Sequence, residues 1–296
     1  MSIARTPALT VVIAGGTGRL GRLLVDRFRA RGEEVRVLSR APEHAGDVRD
    51  PLALDRALAG ARVVISAFSA FGMQGVTPRR VDWEGNANLV AAAEKHGVGR
   101  FVLVSALRAS ADHPMELARM KHLAEQRLIA SKLSWTILRP STFTETFQMV
   151  LCAPLLEKGK TVVFGRAENP VNFVSAHDVA KFVELAANEA ALAGEVLEIG
   201  GPENLSLVQF VETFRSAVGA TGSVKHIPRF MMRFLSQAAR PFRPTFARMV
   251  QAGVVMDTTD MSFDAADLRR RFPAISLTTV AEVARRDYGR SRDAEA

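Results

Sequence analysis

Gly15, Gly18 and Gly21 recur at three-residue spacing, directly after the apolar run Val11-Val12-Ile13-Ala14. They open an amphipathic stretch, Arg19 to Arg31, whose Leu20, Leu23, Leu24 and Phe28 share one helical stripe. Glycines in this order suit a diphosphate. Backbone N–H groups at a helix N-terminus bind the anion, and a side chain at any of the three would obstruct the turn, the ligand or the packing of helix on strand. Gly15, Thr17, Gly18, Arg19, Leu20 and Gly21 are therefore the expected phosphate loop of a dinucleotide cofactor.

The end of the second strand decides which nucleotide. A carboxylate there accepts from a ribose 2′-hydroxyl, whereas a guanidinium pairs with a 2′-phosphate. The strand Val35–Leu38 ends in Ser39-Arg40 with no acid, so Arg40, helped by Arg19, favours NADP(H) over NAD(H). The other reading leaves Arg40 solvated and sends Glu43 to the ribose. Asp47 and Val48 are assigned to the adenine edge, with a loop-capping carboxylate as the alternative for Asp47. Ala67 and Phe68, at the end of a third strand, are assigned to the cofactor wall.

These residues need a scaffold of alternating strands and helices. Strand-like runs fall at Leu9–Ala14, Glu34–Leu38, Arg62–Ala67, Arg100–Ser105 and Ser134–Leu138. Asp50-Pro51 and Thr77-Pro78 each set a capping residue before a first-turn proline, predicting helices over Leu52–Ala59 and Arg79–His96. The pattern predicts an α/β fold, a Rossmann-type doubly wound parallel sheet. After Pro140 it loosens, with strands near Thr161–Phe164, Val171–Ser175 and Val196–Ile199. Residues 1–140 thus form the expected NAD(P)-binding domain, with 160–200 adding further strands and helices, and 141–296 form a smaller, mixed substrate-side region with a soft boundary.

Composition narrows the function. The chain has 296 residues, 48% apolar and 24% charged, as in an ordinary globular protein. A single cysteine, Cys152, excludes an intramolecular disulfide and suits a reducing cytoplasm. No apolar run is long enough to span a bilayer, and no signal-peptide layout precedes the first strand. The net charge of +8 is dispersed and lacks interleaved aromatics, so nucleic acid is not an expected partner. The six histidines lack metal-ligand spacing, and no metal is expected. No Gly-x-Ser-x-Gly elbow or Walker loop occurs, which removes hydrolases and nucleotide triphosphatases.

With these motifs assembled, the chain resembles the atypical short-chain dehydrogenase/reductases, in the NAD(P)H-binding group that includes the NmrA-like proteins and the isoflavone-reductase-like enzymes. The likeness rests on residues 15–21, Gly46-Asp47-Val48, the strand Phe101–Ser105, Lys121 on a helix leading to Ser134–Ser141, and Val174–Ala180. It implies that Lys121 binds nicotinamide ribose or acts as acid or base, and that Ser105 lines the cofactor. The alternative for Lys121 is a solvated lysine paired with Glu125 at i+4. The family's usual tyrosine, four residues before the lysine, is here Leu117, and the only tyrosine is Tyr288. Leu107 stands where many relatives carry a substrate-orienting hydroxyl. The expected activity is hydride transfer from NADP(H) to a carbonyl, an activated C=C bond or a quinone of a small apolar substrate. The rival is a catalytically silent NADP(H)-binding redox regulator or a scaffold protein.

Arg229–Met249 mixes phenylalanines and methionines with arginines. Three readings apply: helices packed on a domain edge, a lid over an apolar substrate, and attachment to an anionic membrane surface or a protein partner. The first is favoured over the others. Pro241 and Pro244 preclude one long helix.

Overall fold

In the computed structural model the described residues are 9–41, 44, 46–239 and 241–289, without the side chain of Arg233. Glu43 and Arg240 lie outside the described residues.

The five apolar runs form β1 (Thr10–Ala14), β2 (Glu34–Leu38), β3 (Val63–Ser66), β4 (Arg100–Val104) and β5 (Trp135–Pro140). Between them lie α1 (Arg19–Ala30), α2 (Pro51–Leu58), α3 (Asn86–Lys95) and α4 (Glu116–Ile129). β1, β3 and β4 are buried at every position, as strands are when helices cover both faces. Asp50 caps α2 by accepting from the Leu52 N–H, with Pro51 in the first turn. Thr77 Oγ1 accepts from the Arg80 N–H, after which Arg79–Gly85 runs as a π-helical turn into α3. Gly97, at φ 60°, ends that helix.

Further along come β6 (Thr142–Phe143), α5 (Thr144–Phe147), α6 (Ala153–Lys158), β7 (Lys160–Phe164), β8 (Val171–Val174), α7 (Ala176–Asn188) and β9 (Glu195–Ile199). The chain continues through β10 (Glu203–Leu205), α8 (Leu207–Val218), β11 (Ser223–Ile227), α9 (Arg229–Ala239), α10 (Pro244–Thr258), α11 (Ala266–Arg271) and α12 (Val280–Tyr288). The main sheet has the order β2-β1-β3-β4-β5-β9, and its pairings from β2 through β5 are parallel. This is a Rossmann-like α/β fold. The chain leaves β1 for β2 on one side and returns to β3 on the other, so the order reverses between β1 and β3. In such sheets the crevice beyond the carboxyl ends at the reversal is the ligand site.

Contact divides the chain into two compact units, one of Met1–Phe71, Val76–Arg139 and Ala180–Leu197, the other of Gly72–Gly75, Pro140–Val179 and Glu198–Ala296. Of the 160–200 stretch, β9 extends the main sheet. β8 instead stands in a three-stranded sheet, β10-β8-β6, and β7 pairs in parallel with β11. The first unit's core packs Val12, Leu38, Leu54, Val64, Phe101 and Ile137. The second centres on Phe147, Phe173 and Phe210, whose rings meet at centroid distances of 4.5 to 6.3 Å.

Candidate functional site

The glycine loop follows β1 at the sheet's reversal point. Gly15 has φ +84°, and a Cβ there would lie 2.8 Å from Phe68 Cβ and 2.9 Å from the Ala67 carbonyl. Its N–H donates to Leu38 O at 2.9 Å, and its carbonyl accepts from the Gly18 N–H at 2.9 Å. A Cβ on Gly21 would overlap the Gly15 carbonyl oxygen. Gly18 differs: it is exposed, extended at φ −72° and ψ 171°, and its Cβ would meet only Gly15 O, at 3.3 Å. Two of the glycines thus serve close packing, and the third leaves open space above the turn.

Gly18 is the N-cap of α1 and supplies no side-chain hydrogen bond to the first turn, which also lacks an acid. By contrast, Asp50, Ser206 and Thr279 cap α2, α8 and α12 with their side chains. An uncapped first turn presents donors and a positive dipole end to an anion. Thr17 and Arg19 are exposed beside it, while Leu20 is buried and holds the helix to the sheet. Arg22, which sequence reasoning missed, braces the loop by donating from Nε to Thr17 O at 3.0 Å.

At the end of β2, Arg40 is exposed. Asp47 is held by Arg49, which donates from its backbone N–H at 2.9 Å and from Nη2 at 2.6 Å. Those hydrogen bonds keep the Asp47 carboxyl below its ordinary range, and the charge of Arg40 adds to the effect. Arg49 is the second residue that sequence reading overlooked. A basic residue two positions after the acid, in an Asx-type turn, was its signal. Val48 packs where a Cβ on Gly85 would meet it at 2.8 Å, and its carbonyl accepts from Asn88 Nδ2 at 3.3 Å.

The ends of β3 and β4 converge on Lys121. Its side chain is buried, and Nζ donates to Phe68 O at 2.8 Å and to Val104 O at 3.1 Å. The ammonium pairs with Asp82 Oδ1 at 3.2 Å and lies 5.8 Å from the centroid of the Phe68 ring. Asp82, on the π-helical turn, is fully buried, and its Oδ2 accepts from the Ala70 N–H at 3.0 Å. Burial pushes the Asp82 carboxyl up, against the opposing pull of Lys121. Lys121 is therefore neither solvated nor paired with Glu125. That carboxylate is buried and takes a two-pronged contact from Arg139, at 2.9 and 2.6 Å. Alongside, the Ser105 N–H donates to Leu138 O at 2.7 Å, while its buried Oγ has no hydrogen-bond partner among the described residues.

Leu117, at the position of the absent tyrosine, is half-buried on α4. Tyr288 packs edge-on against Phe214 in the second unit, at a centroid distance of 5.2 Å. His113 Nδ1 accepts from the Met115 N–H at 3.1 Å, and burial holds its pKa below the usual value. Burial pushes the Cys152 thiol up to about 12. Among the described residues no group of three or more His, Cys, Asp or Glu could hold a metal ion. Nor is any of their helices long and apolar enough to cross a membrane. The second unit carries an open pocket of about 720 Å³, lined in part by Gly72, Gly75, Phe242, Phe246 and Met249.

A glycine loop closed to side chains at Gly15 and Gly21, an uncapped helix N-terminus and an orphaned buried hydroxyl together fit a dinucleotide. The photosystem II assembly factor Ycf39 of Synechocystis is 27% identical over 280 residues, covering 89% of this chain and 85% of that one. An NADPH-dependent quinone oxidoreductase from Escherichia coli, solved with NADPH, superposes with a TM-score of 0.74 at 23% identity, covering 93% of this chain and 98% of that one. A triphenylmethane reductase from Citrobacter, solved with NADP(H), gives a TM-score of 0.75 at 19% identity, covering 94% and 99%. Residues 15–190 match the model of the NAD(P)H-binding family, and the chain belongs to that family.

Proposed function

We propose that this chain is an NADPH-dependent reductase whose acceptor needs little proton assistance, a quinone or a polarised enone of small apolar structure. The observation that carries this reading is the engagement of Lys121. An ammonium has three N–H donors, and here it faces Phe68 O, Val104 O and Asp82. With Leu117 in the tyrosine's place, neither position offers a proton to a developing alkoxide. Quinones and polarised enones tolerate that lack, because their reduced anions are delocalised and take protons from water.

When bound, NADPH supplies the hydride. The first turn of α1 and the loop 15–21 would bind the diphosphate, and Ser105 Oγ would donate to or accept from the nicotinamide half. Lys121 acts as a positioning residue, fixing Phe68 and Val104 at the ends of two strands. Arg40 and Arg49 would take the 2′-phosphate. Asp47, already committed to Arg49, is poorly placed to demand a 2′-hydroxyl instead.

The test is NADPH oxidation with a panel of quinones and enones beside simple ketones. Turnover confined to the first two classes is the expected result. Ketone reduction at comparable kcat/KM would require a proton donor and refute the reading. For the nucleotide, Arg40→Ala should weaken NADPH by roughly tenfold or more, the scale of a charge-assisted hydrogen bond, and leave NADH unchanged. Equal losses for both cofactors would remove Arg40 from the phosphate site.

Leu117 also supports a second reading, a silent NADPH-binding regulator, and the similarity to an assembly factor agrees with it. Tight NADPH binding without oxidation by any acceptor of the panel is its signature.

A further inference from the structure

The segment 213–256 holds seven Lys or Arg and no Asp or Glu. Within it, α9 is anchored on one side: Met232 is buried, and its methyl lies against Gly253 of α10, where a Cβ would meet it at 3.0 Å. Its other side bears Phe230 and Phe234, one helical turn apart and 72% and 71% exposed, with Met231 beside them. Phe242, in the link to α10, is 86% exposed. A lone exposed apolar residue needs no explanation. Three phenylalanines that stand out from an anchored helix and its link form a patch with a purpose.

The charges around the patch select its occupant. Arg229 is neutralised by Asp257, and Arg248 donates to Thr245 Oγ1. Lys225 and Arg243 are exposed. A second copy of the same basic face would repel, so an anionic partner fits. Phe230 and Phe234 stand exposed outside the open pocket, and Phe242, which borders it, is the most exposed of the three, which suits a soft, penetrable surface better than a rigid protein one. We propose that the second unit docks on an anionic bilayer surface through α9 and the α9–α10 link, with Phe230, Phe234 and Phe242 entering the boundary between headgroups and acyl chains. Such a location brings the protein to where lipid-soluble molecules concentrate.

The experiment is flotation of the full-length protein with vesicles of equal parts phosphatidylglycerol and phosphatidylcholine, against pure phosphatidylcholine, at low and high salt. Wild-type protein should float with the anionic vesicles, bind the neutral ones roughly tenfold less or weaker, and dissociate as salt rises. The variant F230S/F234S/F242S should lose roughly tenfold or more of its binding, and Arg243→Gln about fivefold. NADPH binding, measured in parallel, should stay at the wild-type level. If the triple variant does not fold, the single Phe242→Ser, at the most exposed position, carries the test. Failure to float, or equal flotation by a folded Phe→Ser variant, overturns the proposal. So does binding to native membranes but not to lipid vesicles, which assigns the face to a protein. A wild-type dimer that the Phe→Ser variant dissolves assigns it to a second copy and equally overturns the proposal.

Discussion

Gly21→Ala should abolish NADPH binding, with a loss of roughly a hundredfold or more. The new Cβ would overlap the Gly15 carbonyl oxygen and lie 2.7 Å from Gly16 Cα and 2.8 Å from the Gly15 carbonyl carbon. All three are backbone atoms, so no rotamer change relieves the clash. Either the first turn of α1 must lift or the loop must open, and the array of N–H donors is lost with it. Overpacking of this kind costs about 1–3 kcal/mol, so the melting temperature should also fall by several degrees. Gly18→Ala supplies the contrast. Its backbone is extended and its Cβ meets only one atom, at 3.3 Å, so the fold should keep its melting temperature. Because that Cβ points into the open side of the turn, NADPH should still bind roughly tenfold more weakly. Fluorescence titration with NADPH and thermal melts separate the two effects. Wild-type affinity in Gly21→Ala would show that the loop is not the phosphate site.

The contrast between the two glycines also marks how far sequence reasoning reaches. The strands of the main sheet were legible because they are short, mostly apolar and separated by helices whose starts are marked by Gly18, by Asp50-Pro51 and by Thr77-Pro78. β2 lies at Glu34–Leu38 as expected, and Asp50 caps α2 in the way its pairing with Pro51 implies. The glycine turn was legible because Gly15, Gly18 and Gly21 lie close together in the chain. What remained hidden depends on residues distant in sequence. Spacing alone pairs Lys121 with Glu125, one turn along α4, yet the fold gives Glu125 to Arg139 on β5 and Lys121 to Asp82 on the π-helical turn. A weak surface pair at i+4 was thereby outweighed by two buried ones. The reading of 229–249 as helices packed on a domain edge likewise left open which residues anchor them: Met232 of α9 is buried, whereas Phe230 and Phe234 are exposed. A pattern states which residues share a face, but not whether anything covers it.

Lys121→Met is expected to be among the most destabilising single changes in the first unit, at about 3–5 kcal/mol, because it strands the Asp82 carboxylate in the interior. The Ala70 N–H and the Ser69 hydroxyl would still serve Asp82, but neutral hydrogen bonds do not replace a cation. The cost carries a pH signature. Burial already raises the Asp82 pKa above 3.8, while attraction and hydrogen bonding from Lys121 hold it down. Removing the ammonium leaves burial less opposed, and the folded-state pKa rises further. A carboxyl whose pKa is higher folded than unfolded favours the fold most below the unfolded value and loses that contribution as pH climbs through the folded one. The deficit of Lys121→Met relative to wild type should therefore be largest near neutrality and shrink as pH falls towards 4. Urea denaturation at several pH values measures it. Adding Asp82→Asn should recover much of the loss at neutral pH, since an apolar and a neutral polar side chain replace an unpaired charge. A deficit independent of pH, or a double variant no more stable than the single one, would mean that the two side chains are not coupled. The same ammonium fixes the carbonyls of Phe68 and Val104. The double variant should thus regain stability without regaining NADPH affinity, which separates what the buried pair does for the fold from what Lys121 does for the site.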